Sequence, residues 1–223
     1  MVVAETAFRL VGASGAVMRE HGMATDIVLA SNNQGKAAEF AAILEPLGLH
    51  LHLQKEFAVP DVEENGLSFI ENALIKARHA AKYANMPALA DDSGLCVDAL
   101  NGAPGIYSAR YCGVWGNDQA NNDKLLEELR NVPDDKRTAH YYAALAYVRT
   151  ADDPAPIVVT GSWEGSIGKV PHGSNGFGYD PLFYVTGRNM TAAQLPPQVK
   201  NVISHRARAL SLLIAEMKRL HEV

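Results

Sequence analysis

The sequence predicts a mixed α/β fold, one domain over residues 26–223 behind an extension over residues 1–25. Three observations carry that expectation. An apolar run at Asp26 to Ala30 passes through a polar, Gly-containing loop into a helical pattern, which reads as a strand, loop, helix unit. Thr138 to Val148 and Ile157 to Trp163, rich in β-branched and aromatic residues, follow one another as long strands. The chain then closes on an amphipathic helix. Strands and helices thus intermix without strict alternation, which points to a mixed sheet. With 223 residues, 48% of them hydrophobic, the chain can bury a substantial core.

Taken in order, residues 1–25 show only short apolar stretches and are expected to lie outside the fold, with Met23 a second candidate start. After the first strand, Ser31-Asn32-Asn33-Gln34-Gly35-Lys36 forms a loop. Ala37, Phe40, Ala41, Leu44 and Leu47 then repeat at helical spacing as far as Gly48. Leu49 to Leu53 alternates leucine with His50 and His52, as a strand with one wet face does. A polar loop carries Asp61, Glu63 and Glu64. Ser68 and Glu71 stand at capping-box spacing, and Phe69, Ala73, Leu74, Ala77 and Ala81 stripe a helix running to about Ala84. Ala88 to Ala90 and Leu95 to Val97 flank Asp91-Asp92-Ser93-Gly94, a strand, turn, strand pattern that sets two carboxylates at a strand end. Asn117 to Arg130 reads as a helix, and the closing helix starts at Ser204 with Ala207, Leu210, Leu213, Ile214, Met217 and Leu220 on one face.

Composition excludes several functions. A net charge of −5 argues against a broad nucleic-acid surface, because phosphate backbones are bound by concentrated Lys and Arg. A small anionic ligand needs only a local cluster of cations. No stretch approaches the roughly 18 apolar residues of a membrane span, and no secretory leader pattern opens the chain, so a cytoplasmic location is expected. Cys96 and Cys112 form no C-x-x-C pair and read as packing residues. The histidines show no metal-ligand pattern, and no G-x-S-x-G elbow supports Ser93 as a nucleophile.

Four segments carry possible chemistry. Ser31 to Lys36 joins a strand to a helix, where backbone N–H groups and a lysine can meet an anion, though such a loop also serves as a plain connection. Glu63, Glu64, Asp91, Asp92 and Asp98 supply hard oxygen ligands suited to Mg²⁺. The first two, taken alone, read more readily as solvated loop residues, whereas Asp91-Asp92 lies between apolar runs, where burial demands a partner. In His172 to Asp180, three glycines permit tight turns, and Phe177 and Tyr179 fit either a packed hairpin or a wall for a base. Lys200 and the pair His205-Arg206, just after the N-cap Ser204, place cations where a helix dipole opposes them, which calls for a compensating anion or an acceptor-rich ligand.

Together, SNNQGKAAEF, ENALIKA, ADDSGLCVDALNGAPGIYSARY, GSWEG, GFGYDPLF and SHRARAL resemble the inosine triphosphate pyrophosphatase family, the dITP/XTP pyrophosphatases, from Ile27 to Leu220. The resemblance implies a long curved central sheet, two lobes around a deep nucleotide-binding cleft, and a homodimer. It implies Mg²⁺-dependent cleavage of non-standard purine nucleoside triphosphates (dITP, ITP, XTP) to the monophosphate and pyrophosphate. By motif match, Ser31, Asn32, Asn33, Gln34, Gly35 and Lys36 would hold the triphosphate and Lys76 would reach its phosphates. Asp92 would be proton acceptor and metal ligand, Glu64 the second metal ligand, and Ser93 a substrate contact. Phe177, Gly178, Tyr179, Asp180, Lys200, His205 and Arg206 would form the nucleoside side. The family's first loop commonly reads Thr-Gly-Asn. Here Ser31 keeps the hydroxyl and Asn32 replaces the glycine, as a residue tolerant of positive φ if one is required. The competing readings are a pyrophosphatase for modified pyrimidine nucleotides and a nucleotide-binding module without turnover.

Overall fold

The computed structural model describes residues 25–222. The expected extension and the alternative start at Met23 lie outside the described residues, apart from Thr25, which opens the first strand. The elements are β1 (Thr25–Leu29), α1 (Gln34–Leu44), β2 (Leu49–Leu53), α2 (Phe69–Ala84), β3 (Ala88–Val97), α3 (Asp118–Glu128), β4 (Thr138–Val148), β5 (Ile157–Ile167), β6 (Phe183–Val185), α4 (Pro197–Ile203) and α5 (His205–Arg219). They build the expected mixed sheet, in the order β2-β1-β3-β4-β5-β6. β1 runs parallel to β2 and β3, and every later pairing is antiparallel.

Three local expectations are corrected. Asp91 to Gly94 is not a turn but the middle of β3, one ten-residue strand paired with β4 from Ala88↔Val148 to Val97↔Ala139. Cross-strand pairing along this whole length overrides the turn preference of Asp-Ser-Gly. Leu47 falls in a 3₁₀ turn, Glu45–Leu47, because Pro46 cannot continue the i→i−4 ladder of α1. Asn32 is not among the residues with positive φ, so its side chain relieves no backbone strain there. β6 and α4 have no counterpart in the sequence reading. At three and seven residues, neither is long enough to show periodicity.

The strands distribute their side chains by the period of two. Ile27 and Leu29 of β1, Leu89 of β3, and Ala143, Leu145 and Tyr147 of β4 pack against Phe40 and Leu44 of α1 and Leu210, Leu213 and Met217 of α5. Val28, Ala88, Ala90, Ala144 and Ala146 face the other way, against Ala73, Ala77, Ala80 and Ala81 of α2. That second layer is almost wholly alanine, so α2 can approach the sheet closely. On the first face α5 also comes close, over Gly161 of β5, where a Cβ would stand 2.3 Å from the His205 carbonyl oxygen. Thus α2 and α5, two of the three helices that carry cations toward β3, are held close by small residues. Ala77 is fully buried, and Ala77→Leu is expected to destabilise the protein by about 1–3 kcal/mol through overpacking, read as a lower urea midpoint at unchanged slope.

Candidate active site

The alternation of β3 decides where its two carboxylates go. Asp91 shares the face of Leu89 and meets α1 and α5, while Asp92 shares the face of Ala90 and meets α2. β1 reaches only as far as Leu29, opposite Leu89, so from Ala90 to Leu95 the ladder partner of β3 is β4 alone, and on its other edge side chains take the place of a strand, Lys76 on the Asp91 carbonyl and Ser108 on the Leu95 N–H. The Ser31–Asn33 loop leaves β1 at that edge. Residues from both faces can therefore meet one ligand at the carboxyl end of β1, where a mixed or parallel sheet offers a crevice.

Local bonding sets this loop. Asn33 caps α1 through its side-chain oxygen, which accepts from the Lys36 N–H at 2.9 Å, and Ser31 Oγ accepts from the Asn33 N–H at 3.1 Å. Gln34, Gly35 and Lys36 are consequently the first helical turn, and Lys36 extends to 3.4 Å from Asp91 Oδ2. Ser31, Asn32 and Gln34 line a separate hollow with Lys55, and Asn33 borders both this hollow and the main cavity.

On the α2 face, Lys76 Nζ donates to Asp92 Oδ1 at 2.7 Å and to the Asp91 carbonyl at 3.0 Å, and lies 3.5 Å from Glu64 Oε1. Asp92 Oδ2 is buried without a hydrogen-bond partner. Burial pushes the Asp92 carboxyl up despite the pull of Lys76 and Lys36. For Lys76, burial opposes the charge, but Asp92 and Glu64 outweigh it and raise the ammonium above its ordinary value.

On the other face, Arg206 joins the two ends of a longer network. Its Nε donates to Asp91 Oδ2 at 2.8 Å, its Nη2 to Ser93 Oγ at 3.0 Å, and its Nη1 to Glu39. Glu39 also meets Lys200 at 2.9 Å, and Lys200 meets Asp180 Oδ2 at 2.5 Å. Asp180 accepts further bonds from the Phe177 N–H and the Tyr141 hydroxyl. The anion expected to compensate the cations at the start of α5 is thus internal: Asp91 and Glu39. Burial disfavours the Asp91 charge, yet Arg206 and Lys36 hold its carboxyl well below the usual range. Burial lowers Lys36, and Arg206 and Lys76 add to that effect. His205, fully buried and stacked on Tyr141 at 4.7 Å, is pushed well below its ordinary value by burial and by Arg206, and its Nδ1 has no partner.

A cavity opens between these groups, lined by Lys36, Ser93, Phe177, Gly178, Tyr179, Asp180, Lys200, His205 and Arg206, and also by Gly94, Ser108, Asp118 and Tyr141. The ring of Phe177 lies 4.8 Å from Lys200 Nζ and over Gly35, where a Cβ would come within 2.6 Å of it. Of the two aromatics, Phe177 faces the cavity, whereas Tyr179 is buried and donates its hydroxyl proton to the Ser108 carbonyl. Glu64, Lys76 and Asp92 do not line this cavity but stand across the edge of β3 that β1 leaves unpaired.

The Ham1 family model matches residues 27–216. The chain belongs to the Ham1 family. Among Ham1 relatives, the dITP/XTP pyrophosphatase of Shigella flexneri is 53% identical over 192 residues, 86% of this chain and 98% of that protein. The one from Vibrio cholerae is 54% identical over 84% of this chain and 94% of that protein. A HAM1 protein from Coxiella burnetii has a similar structure, with a TM-score of 0.80 and 49% identity over 87% of this chain and 99% of the other. A nucleoside-triphosphatase, dITP/XTP pyrophosphatase, from Mycobacterium abscessus gives 0.68 and 46% over 85% and 97%.

Of the acidic candidates, Glu64, Asp91 and Asp92 come together. Glu63 is exposed, and Asp98 accepts from Thr138 Oγ1 instead. The sequence reading did not single out Glu39, Tyr141 or Asp118. Glu39 sits one helical turn after Lys36 within SNNQGKAAEF, a spacing that could have marked it, whereas Tyr141 and Asp118 carry no local signal.

Two outcomes follow from the network. Arg206→Ala leaves the buried Asp91 carboxylate with Lys36 as its one remaining paired cation and takes a partner from Glu39, so a loss of about 3 kcal/mol, the lower end for a broken buried pair, is expected in denaturant unfolding. His205 gives a pH signature. The unfolded chain takes up a proton on this imidazole as pH falls below about 6.5 while the folded chain refuses it, so acid favours unfolding. From pH 7.5 to 5.5 this group should cost on the order of 1 kcal/mol, a slope that His205→Gln should lose.

Proposed function

We propose that this chain hydrolyses non-standard purine nucleoside triphosphates, dITP, ITP and XTP, to the monophosphate and pyrophosphate. The observation that carries the reading is Lys76 bridging Glu64 and Asp92 beside a buried, unpartnered Asp92 oxygen, across one strand edge from a cavity walled by Phe177 and Lys200. We read residues 26–223 as one unit of two lobes, with the nucleotide between them. The phosphates lie along Ser31 to Lys36 and the base lies in the Phe177–Asp180, Lys200 and His205 cavity.

The donors present fit a magnesium ion: two carboxylates, one with a free buried oxygen, suit a cation that takes its remaining ligands from water and substrate phosphate. Bound by Glu64 and Asp92, Mg²⁺ would polarise the phosphate and make water a better nucleophile. Asp92, its carboxyl raised by burial, is suited to take the proton from water attacking the α-phosphorus. Lys36 and Lys76 offset charge on the departing pyrophosphate. Arg206 retains N–H groups beyond the three bonds it already makes, and Lys200 carries only donors, so both favour a 6-keto acceptor over the amino group of adenine. We expect a homodimer acting on free nucleotides in the cytoplasm, with no nucleic-acid or membrane partner. Light scattering at micromolar concentration tests the assembly.

Pyrophosphate release is measured from dITP, XTP, dATP, dGTP and dUTP, with Mg²⁺ and with chelator. Release from dITP and XTP that chelator abolishes is expected. Preference for dUTP would point to a pyrimidine enzyme, and absence of turnover would leave a binding module. Asp92→Asn should lower kcat at least about a hundredfold with the fold retained, and near-normal turnover would remove Asp92 as the proton acceptor.

A further inference from the structure

We infer that the start of α3 is a positioning element for the nucleoside wall: Asp118 and Asn122 clamp both backbone polar groups of Gly178 and so fix Phe177. The Gly178 N–H donates to Asp118 Oδ2 at 2.8 Å, and Asn122 Nδ2 donates to the Gly178 carbonyl at 2.9 Å. These two side chains lie four residues apart, one above the other on one face of α3. Asn117 caps the helix, its side chain accepting from the Ala120 N–H, so the turn that presents them is itself fixed.

Gly178 has a φ of +62°, and because glycine takes either sign of φ about equally readily, the residue itself does not select this turn. External bonds must therefore choose it. Phe177, one residue earlier, faces the cavity over Lys200, and its N–H is tied to Asp180. With the peptide on its other side clamped by α3, the ring is held from both directions. The neighbouring Asn121 ties the same helix to the segment around Ala109, accepting from the Cys112 N–H at 2.8 Å and donating to the Ala109 carbonyl. Ala109 and Asp118 both line the cavity, so α3 sets the distance between two of its walls.

This inference rests on the reading of Phe177 as nucleoside wall, and the experiment separates the two. Steady-state kinetics with dITP are compared for wild type, Phe177→Ala, the double variant Asp118→Ala/Asn122→Leu, and Asp118→Asn. The double variant should raise KM about tenfold, the worth of two hydrogen bonds, and keep kcat within about threefold. Asp118→Asn retains an acceptor for the Gly178 N–H and should return KM to near the wild-type value. A merely structural role would instead lower the melting temperature and reduce active enzyme, so that apparent kcat fell and KM stayed. If Phe177→Ala raises KM and the double variant does not, the clamp is overturned. If the clamp variants raise KM and Phe177→Ala does not, α3 acts by another route and the inference also fails. If neither raises KM, the wall itself is misassigned.

Discussion

The ion pair between Asp91 and Arg206 is the constraint on which the rest of this site depends. Both groups are almost wholly buried, Asp91 at 1% and Arg206 at 2% exposure, and neither can keep its charge there alone. Their pairing decides the position of α5 over β3 and β5, because Arg206 is in the first turn of that helix. It also brings Lys36 to the end of β1, since the same carboxylate oxygen faces both cations. Glu39 then anchors α1 to Arg206 and to α4 through Lys200. Elements from three distant parts of the chain, α1, β3 and the α4–α5 pair, are thereby registered around one carboxylate.

A single strand serves two layers because its period is two. Had Asp91 and Asp92 occupied a turn, both would have faced solvent, where carboxylates need no partner. Inside β3 they point to opposite faces, so each must find its own cations: Lys36 and Arg206 for one, Lys76 for the other. Counting the paired groups, four cations, Lys36, Lys76, Lys200 and Arg206, face five carboxylates, Glu39, Glu64, Asp91, Asp92 and Asp180, leaving one formal negative charge. Such a site gives no net attraction to a polyphosphate until a further cation enters. This balance supports the magnesium dependence proposed for the reaction.

The sequence revealed the fold where signals are local. The Ser68 cap of α2, the Ser204 cap of α5 and the long β4 all stand where their patterns place them. It misread β3, because Asp-Asp-Ser-Gly has the local chemistry of a turn and only the pairing with β4 overrides it. The dipole argument rightly asked for an anion near Arg206, but Asp91 lies 115 residues away, and no local pattern reports such a separation. The clamp on Gly178 is invisible for the same reason, spanning 60 residues between ordinary loop and helix sequences.

The two sides of the candidate site are held by different balances of the same forces. The phosphate side is an ionic network whose charges are already desolvated and mutually oriented, so little reorganisation is needed when a charged ligand arrives. The nucleoside side adds to the Lys200–Asp180 and Lys200–Glu39 ion pairs an apolar ring, stacked aromatics and a buried histidine whose charge burial disfavours. Asp180, held by Lys200 and the Tyr141 hydroxyl, accepts from the Phe177 N–H, and α3 holds Gly178, so the ring is placed by charged and neutral bonds together. Discrimination among bases that differ by one polar group depends on that side. Its stiffness, to which the Lys200 ion pairs, hydrogen bonds and packing all contribute, therefore limits how well unsatisfied donors can penalise the wrong base.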